Sequence, residues 1–294
     1  MDIIYIILFV LLSILYFSYN RDYIEGYESF ENVNNKVYAK LYNIIFDEDK
    51  LYKNDINNII NYIFKNKNKN NIFKNKNNIK ILDAGCGAGR HYQYLNKNYP
   101  TVGVDVSNEL IKYAKVRTPK GNFINDNLVN DKIFKHKEFN VIVSLLDSLY
   151  HNNINDIDKI IKNFYYWLKD DGYICLHLFN RKKLDPGARE HTQYYKDSSG
   201  IKHGLTYFNN FTHDAYWREI NNDSVEYIET VVLPNSKKNI SKTVLYIPKD
   251  NNKLIENIEN NGFNLEKILS VKNENDMELY IFKKIKFNDE KIKL

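Results

Sequence analysis

Three hydrophobic patterns divide the chain. The first is unbroken apolarity: Ile3 to Tyr19 is seventeen residues without a charge. As a helix this run spans roughly 26 Å at about 1.5 Å per residue, near the lower limit for crossing a bilayer. No Lys or Arg precedes it and Arg21 follows it. That asymmetry predicts a retained single-pass anchor over residues 1–21, with the remainder on the cytosolic side. A buried core helix and a cleaved leader are the other readings. The leader lacks a basic start and a small-residue exit.

The second pattern is an alternation of strand-like and helix-like runs. A polar aromatic linker, 22–31, leads to a helix over 37–46 and another over 50–64, where Ile56, Ile59, Ile60 and Ile63 recur at helical spacing. Lys65–Asn78 is polar and of low complexity, which predicts a solvated loop. From Ile79 onward, strands are predicted at 79–83, 101–106, 122–126, 139–146 and 173–178. Helices at 91–95, from Ser107 with Ile111, Ala114 and Val116, and at 154–168 separate them. This alternation predicts an α/β fold with a parallel sheet.

The third pattern has period two. Runs at 204–211, 215–220, 224–233 and 241–247 alternate apolar and polar residues, as antiparallel strands do. A last helix, 252–260, and strands from Gly262 and Met277 follow. The expected organisation is an anchor (1–21), linker with lid helices and loop (22–78), a core (79–180), an antiparallel insertion (181–248) and a closing core segment (249–294).

Composition narrows this picture little. The net charge is +5 and the pI near 8.8. That balance suits an anionic membrane surface but does not demand a nucleic-acid partner. Two cysteines, Cys86 and Cys175, offer neither a disulfide framework nor metal-ligand spacing.

The chemistry concentrates at the strand ends. Ile81–His91 reads as a strand closed by Asp83, then Ala84, Gly85, Cys86, Gly87, Ala88, Gly89 and a helix start. Alternate glycines allow a sharp bend and close approach of a ligand. The spacing is not that of a pyrophosphate-binding turn, and a carboxylate beside it repels phosphate while pairing with an ammonium. About twenty residues on, Asp105 ends the next strand, where an acid accepts both hydroxyls of a ribose.

Together these residues resemble motif I and the following strand of class I S-adenosylmethionine (SAM) methyltransferases. The resemblance covers about residues 22 to 285. It implies a Rossmann-like, seven-stranded sheet with helices on both faces, the antiparallel insertion acting as a substrate-side cover. It implies SAM as cofactor and a small-molecule methyl acceptor at N or O. The SAM-binding residues it implies are Asp83, Ala84, Gly85, Cys86 and Gly87 for the amino-acid end. Asp105 holds the ribose, and Asn125, Asp126 and Asn127 lie at the adenine, with Val106 and Leu128 sandwiching the ring. Ser144, Leu145 and Leu146, in a segment similar to the family's motif IV with Asn140 for its usual Asp, line the floor under the sulfonium. The lid helices resemble those of amino-sugar and glycine N-methyltransferases; Tyr42 and Tyr52 match, while Asn43, Phe46 and Leu51 depart from the pattern. An ordinary amphipathic helix pair fits this segment equally well.

The catalytic candidates are His151, as a general base, with Tyr150 in the same loop and Tyr42 from the lid. A surface histidine is the plainer reading of His151. No metal site is expected. Two other functions stay open: a Rossmann-like oxidoreductase, and a non-catalytic SAM-binding module tethered to a membrane.

Overall fold

The structure is a computed structural model that describes residues 36–47, 49–65, 79–187, 191–234, 238–271 and 276–285. Helices α1 (Lys36–Ile45) and α2 (Asp49–Ile60) come first. A single π turn, Asn61–Lys65, extends α2. The core then runs β1 (Ile81–Ala84), α3 (Tyr92–Leu95), β2 (Thr101–Asp105), α4 (Asn108–Arg117), β3 (Asn122–Asn125), β4 (Phe139–Ser144), α5 (Ile154–Trp167) and β5 (Leu168–Phe179). Strands β6 (Gln193–Lys196), β7 (Lys202–Phe208), β8 (Phe211–Glu219), β9 (Val225–Val232) and β10 (Lys238–Leu245) follow. Helix α6 (Asn252–Asn260) and strands β11 (Phe263–Ser270) and β12 (Met277–Lys284) close the chain.

Two sheets form. The first has seven strands in the order β11-β12-β5-β4-β1-β2-β3. Strands β1 to β5 pair in parallel, and β12 enters antiparallel between β5 and β11. Strands β1 and β4 are buried at every position, as strands covered on both faces must be. The second sheet is an antiparallel meander, β10-β9-β8-β7-β6.

Three differences from the sequence reading have physical causes. The run 204–211 is not one strand: Asn209 and Asn210 form a turn between β7 and β8, as amide side chains favour. Strand β5 starts at Leu168, directly out of α5, instead of after Gly172. Asp171 in that stretch has φ +58°, a bend the sequence suggested as a turn. Strand β6 is exposed at all four positions, so it lacks the apolar alternation that would announce it.

The expected membrane localisation is corrected. Among the described residues, no helix is long and apolar enough to cross a membrane. The segment assigned as an anchor, 1–21, lies outside the described residues, as do the linker 22–31 and most of the loop 65–78.

Candidate active site

The carboxyl ends of β1, β2 and β4 lie side by side, and the loops leaving them build the site. After β1 the chain bends at Gly85 (φ +79°) and Gly87 (φ +49°). Both Gly85 N and Cys86 N donate to Val104 O, at 2.8 and 2.9 Å, pinning the bend to β2. A Cβ at Gly85 would come within 2.5 Å of the Ser148 Cβ, so the loop after β4 can pack here only against a glycine. A Cβ at Gly87 would meet nothing nearer than Leu110 at 3.9 Å; that face is open to a ligand.

Asp105 ends β2 and is held by two backbone donors. Gly87 N reaches Oδ2 at 2.7 Å and Ser107 N reaches Oδ1 at 2.8 Å. Burial raises its pKa, and these two donors offset that rise only in part. Each oxygen keeps further lone-pair capacity toward the cavity. Ser107 caps α4, accepting from Leu110 N at 3.2 Å.

A cavity of about 390 Å³ opens over this turn, with Gly85, Gly87, Asp105, Val106, Asn127 and Leu128 in its wall. Val106 and Leu128 give this wall apolar faces. The donor set suits a sulfonium nucleoside: a fixed carboxylate for the diol, glycines for close approach, and no built cradle for a phosphate. Asp83 lies 2% exposed, and its Oδ2 has no hydrogen-bond partner. Burial pushes Asp83 up to about 7, opposed by His91 and raised further by Asp105. A buried carboxyl with one unpartnered oxygen beside the turn fits a cofactor that brings an ammonium group.

Several expected cofactor contacts are not in the cavity wall. Asp83, Ala84, Ser144 and Leu145 are buried at the strand ends and Cys86 in the turn, none of them in the wall. Asn125 instead donates to Asp105 O and Val106 O at 2.9 and 2.8 Å, fixing the turn after β2. Asp126 folds back to accept from Asn127 N and Asn130 Nδ2, at 2.7 and 3.2 Å. Leu146 faces a second cavity.

That second cavity, about 140 Å³, shares Tyr42, Phe46, Asp147 and Tyr227 with the first. Helix α1 contributes Tyr42, the loop after β4 Asp147, and strand β9 Tyr227. Strand β10 closes the first cavity with Thr243 and Leu245. Side chains Asp185, Trp217 and Asp276 complete the second. The Trp217 and Tyr227 rings lie 4.5 Å apart.

His151 and Asp147 form a pair in the first cavity, Nε2 to Oδ2 at 3.1 Å, both side chains about a third exposed (37% and 34%). Burial lowers the His151 pKa, but the Asp147 charge and hydrogen bond outweigh it and the net shift is upward. Asp147 is held below the usual carboxylate range: burial opposes ionisation, but His151, and more weakly Arg90, favour it. Tyr42 is raised by burial and by the Asp147 charge, so its hydroxyl stays protonated.

Tyr150 is corrected as a catalytic candidate. It is fully buried, and its hydroxyl accepts from Phe179 N at 2.9 Å, a core contact away from both cavities. The residue before it in the same 3₁₀ turn, Leu149, is buried too, while His151 faces out. Asn140, the departure from motif IV, accepts from Lys80 N and Lys169 Nζ at 2.9 and 3.1 Å and lies in the sheet core. Its substitution leaves the site untouched.

The sequence reading missed Arg90. Its Nη2 donates to Tyr42 O at 2.9 Å, and its guanidinium stacks 4.6 Å from the Tyr42 ring. Its place directly after the last glycine was the available signal. It also missed Tyr227, which nothing in a strand of period two distinguishes from any other half-buried tyrosine.

A seven-stranded sheet of this order, with a carboxylate-flanked glycine bend and a clamped acid on the next strand, defines a SAM-dependent methyltransferase. Residues 75–283 match the methyltransferase-domain family, and the chain belongs to it. It is a methyltransferase enzyme with SAM as methyl donor. Phosphoethanolamine N-methyltransferase of Plasmodium falciparum is 28% identical over 123 residues, 40% of this chain and 46% of that protein. A maize phosphoethanolamine N-methyltransferase is 31% identical over 122 residues, 40% of this chain and 24% of that one. The match therefore spans less than half of these relatives. Among solved structures, the CcbJ methyltransferase of Streptomyces caelestis superposes with a TM-score of 0.67 at 10% identity, over 87% of this chain and 99% of that one. The sugar N-methyltransferase KedS8 of a Streptoalloteichus species gives 0.63 at 11%, over 90% and 98%. At such identities the likeness is one of fold.

Proposed function

We propose that the chain methylates the nitrogen of a small amine bound in the second cavity. The observation that carries this reading is the shared wall. Asp147, an ionised carboxylate flanked by the rings of Tyr42 and Tyr227, sits where the cofactor cavity opens into the smaller one. Aromatic faces and a carboxylate attract a cationic amine by cation–π and Coulomb terms. An alcohol gains neither.

SAM, when bound, supplies a methyl group on a positively charged sulfur. The chain has to align the acceptor, keep water out and take up a proton. Tyr42 and Phe46 from the lid and Tyr227 from the cover exclude water between the cavities. An arriving ammonium pairs with Asp147. Its proton then leaves to the neutral form of His151, whose imidazolium is stabilised by the same carboxylate. The free amine is left with its lone pair facing the cofactor cavity. The curated relatives are named as N-methyltransferases, which supports nitrogen as the acceptor atom.

Transfer of a labelled methyl group from SAM tests this against ethanolamine, phosphoethanolamine, an amino sugar and the corresponding alcohols. Label on the nitrogen of one or more amines is expected. Label on the alcohols alone, or on none of the panel, would overturn the amine reading. Fold and cofactor would be unaffected.

A further inference from the structure

A second cluster of ionisable groups lies behind the cavities. Asp55, on the lid helix α2, is wholly buried. Its Oδ2 meets His91 Nε2 at 3.0 Å, where the chain leaves the glycine turn. Its Oδ1 faces His177 Nε2 on β5 at 3.8 Å, and neither of those two atoms has a hydrogen-bond partner. His91 and His177 are 7% and 1% exposed, with ring centroids 6.4 Å apart.

On its other side His177 makes a hydrogen bond. Leu146 N donates to His177 Nδ1 at 3.0 Å. The accepting nitrogen must be bare, so the ring proton resides on Nε2 and points toward Asp55. Leu146 is one of only three non-glycine residues with positive φ among those described, at +56°. Such a conformation costs about 1–3 kcal/mol and persists only where its surroundings enforce it. The next residue is Asp147.

We propose that Asp55 is a positioning residue that ties the lid helix to both halves of the site at once, through His91 to the glycine turn and through His177 to the Leu146–Asp147 bend. A lid that lifts takes Asp55 with it. The turn that receives the cofactor and the bend that presents Asp147 then lose their anchor together. The lid thereby couples cofactor binding to the placement of the acceptor's carboxylate. His177 is surrounded by Asp55 from α2, His91 from the turn and the Leu146 amide. Burial pushes its pKa down to about 4, against Asp55 and with His91, so the neutral tautomer holds across the physiological range.

This inference rests on the methyl-transfer site but not on the acceptor's identity, because both readouts below need no acceptor. Hydrogen exchange of the Leu146 amide and calorimetric affinity for S-adenosylhomocysteine are measured in the parent chain, Asp55→Asn, His177→Phe and His177→Asn. Melting temperatures are recorded alongside. His177→Phe should speed Leu146 exchange at least tenfold and leave nucleoside affinity within threefold. His177→Asn should keep exchange slow, since its Oδ1 can take the place of Nδ1. Asp55→Asn should speed exchange and weaken nucleoside binding at least threefold together. Three results would overturn the proposal. Asp55→Asn could leave both readouts at parent values. His177→Asn could behave as His177→Phe. Exchange could accelerate evenly across the core strands in proportion to lost melting temperature.

Discussion

The two cavities touch at Asp147 yet are built by different means. The larger one is floored by backbone and a strand-end carboxylate, with side chains of α1, β9 and β10 closing over them. Its glycine bend, its amide donors and its strand-end carboxylate all belong to β1, β2 and the few residues after them, and parallel pairing fixes their spacing. The smaller one is made of side chains from the N-terminal helices, the loop after β4, the antiparallel sheet and the last strand. One region is a fixed frame for a common ligand. The other takes its shape from elements far apart in the chain, and such a region can change its acceptor without disturbing the frame.

Gly85→Ala should break the frame most severely. The added carbon overlaps Ser148 in a conformation that disfavours side chains. Together these cost about 2–5 kcal/mol of folding stability, as strain plus overpacking. A denaturant titration checks this; a loss under 1 kcal/mol would mean that the loop after β4 yields easily.

Asp147→Asn belongs to the other region. It should lower turnover about a hundredfold, the scale of losing an assisted proton transfer. Affinity for S-adenosylhomocysteine should stay within threefold. A parallel fall in both would erase the division between the cavities. Asp105→Ala should do the reverse, weakening nucleoside binding by about 1–3 kcal/mol through loss of charge-assisted hydrogen bonds. Calorimetry reads this directly.

The smallest effects are in pH. The His151 pKa is raised in the folded chain, so its pairing with Asp147 contributes fully below the unfolded value and fades as pH rises through the folded one. Proton uptake needs the neutral ring. Turnover should therefore climb with pH to an inflection above the ordinary histidine value, and Asp147→Asn should move that inflection down. Asp83 runs the other way. Its raised pKa, about 7, means that it costs stability as pH rises from the unfolded carboxyl value toward 7. Nucleoside binding near pH 7 should release a proton, seen as a dependence of binding heat on buffer, and Asp83→Asn should remove it.

The same contrast explains what could be read from the chain. Asp83, the glycines, Asp105 and the five parallel strands were legible because local geometry dictates those residue types at those spacings. Asp105 and Gly87 meet in the structure, Gly87 N donating to the Asp105 carboxylate. Asp126 lies outside the cavity wall, because its carboxylate turns to the Asn127 amide and the Asn130 side chain, contacts that are invisible in a strand pattern. Tyr150 was grouped with His151 by adjacency alone; a 3₁₀ turn sends the two in opposite directions. Arg90 owes its role to a pairing with α1, and Tyr227 to a cavity wall shared with α1, across long stretches of chain that no local pattern records.

A crystal structure with S-adenosylhomocysteine tests the account most directly. The ribose hydroxyls should lie on the Asp105 carboxylate, with the sulfur at the opening bounded by Tyr42, Asp147 and Tyr227. A nucleoside seated away from Asp105, or one whose sulfur faces away from the smaller cavity, would contradict it.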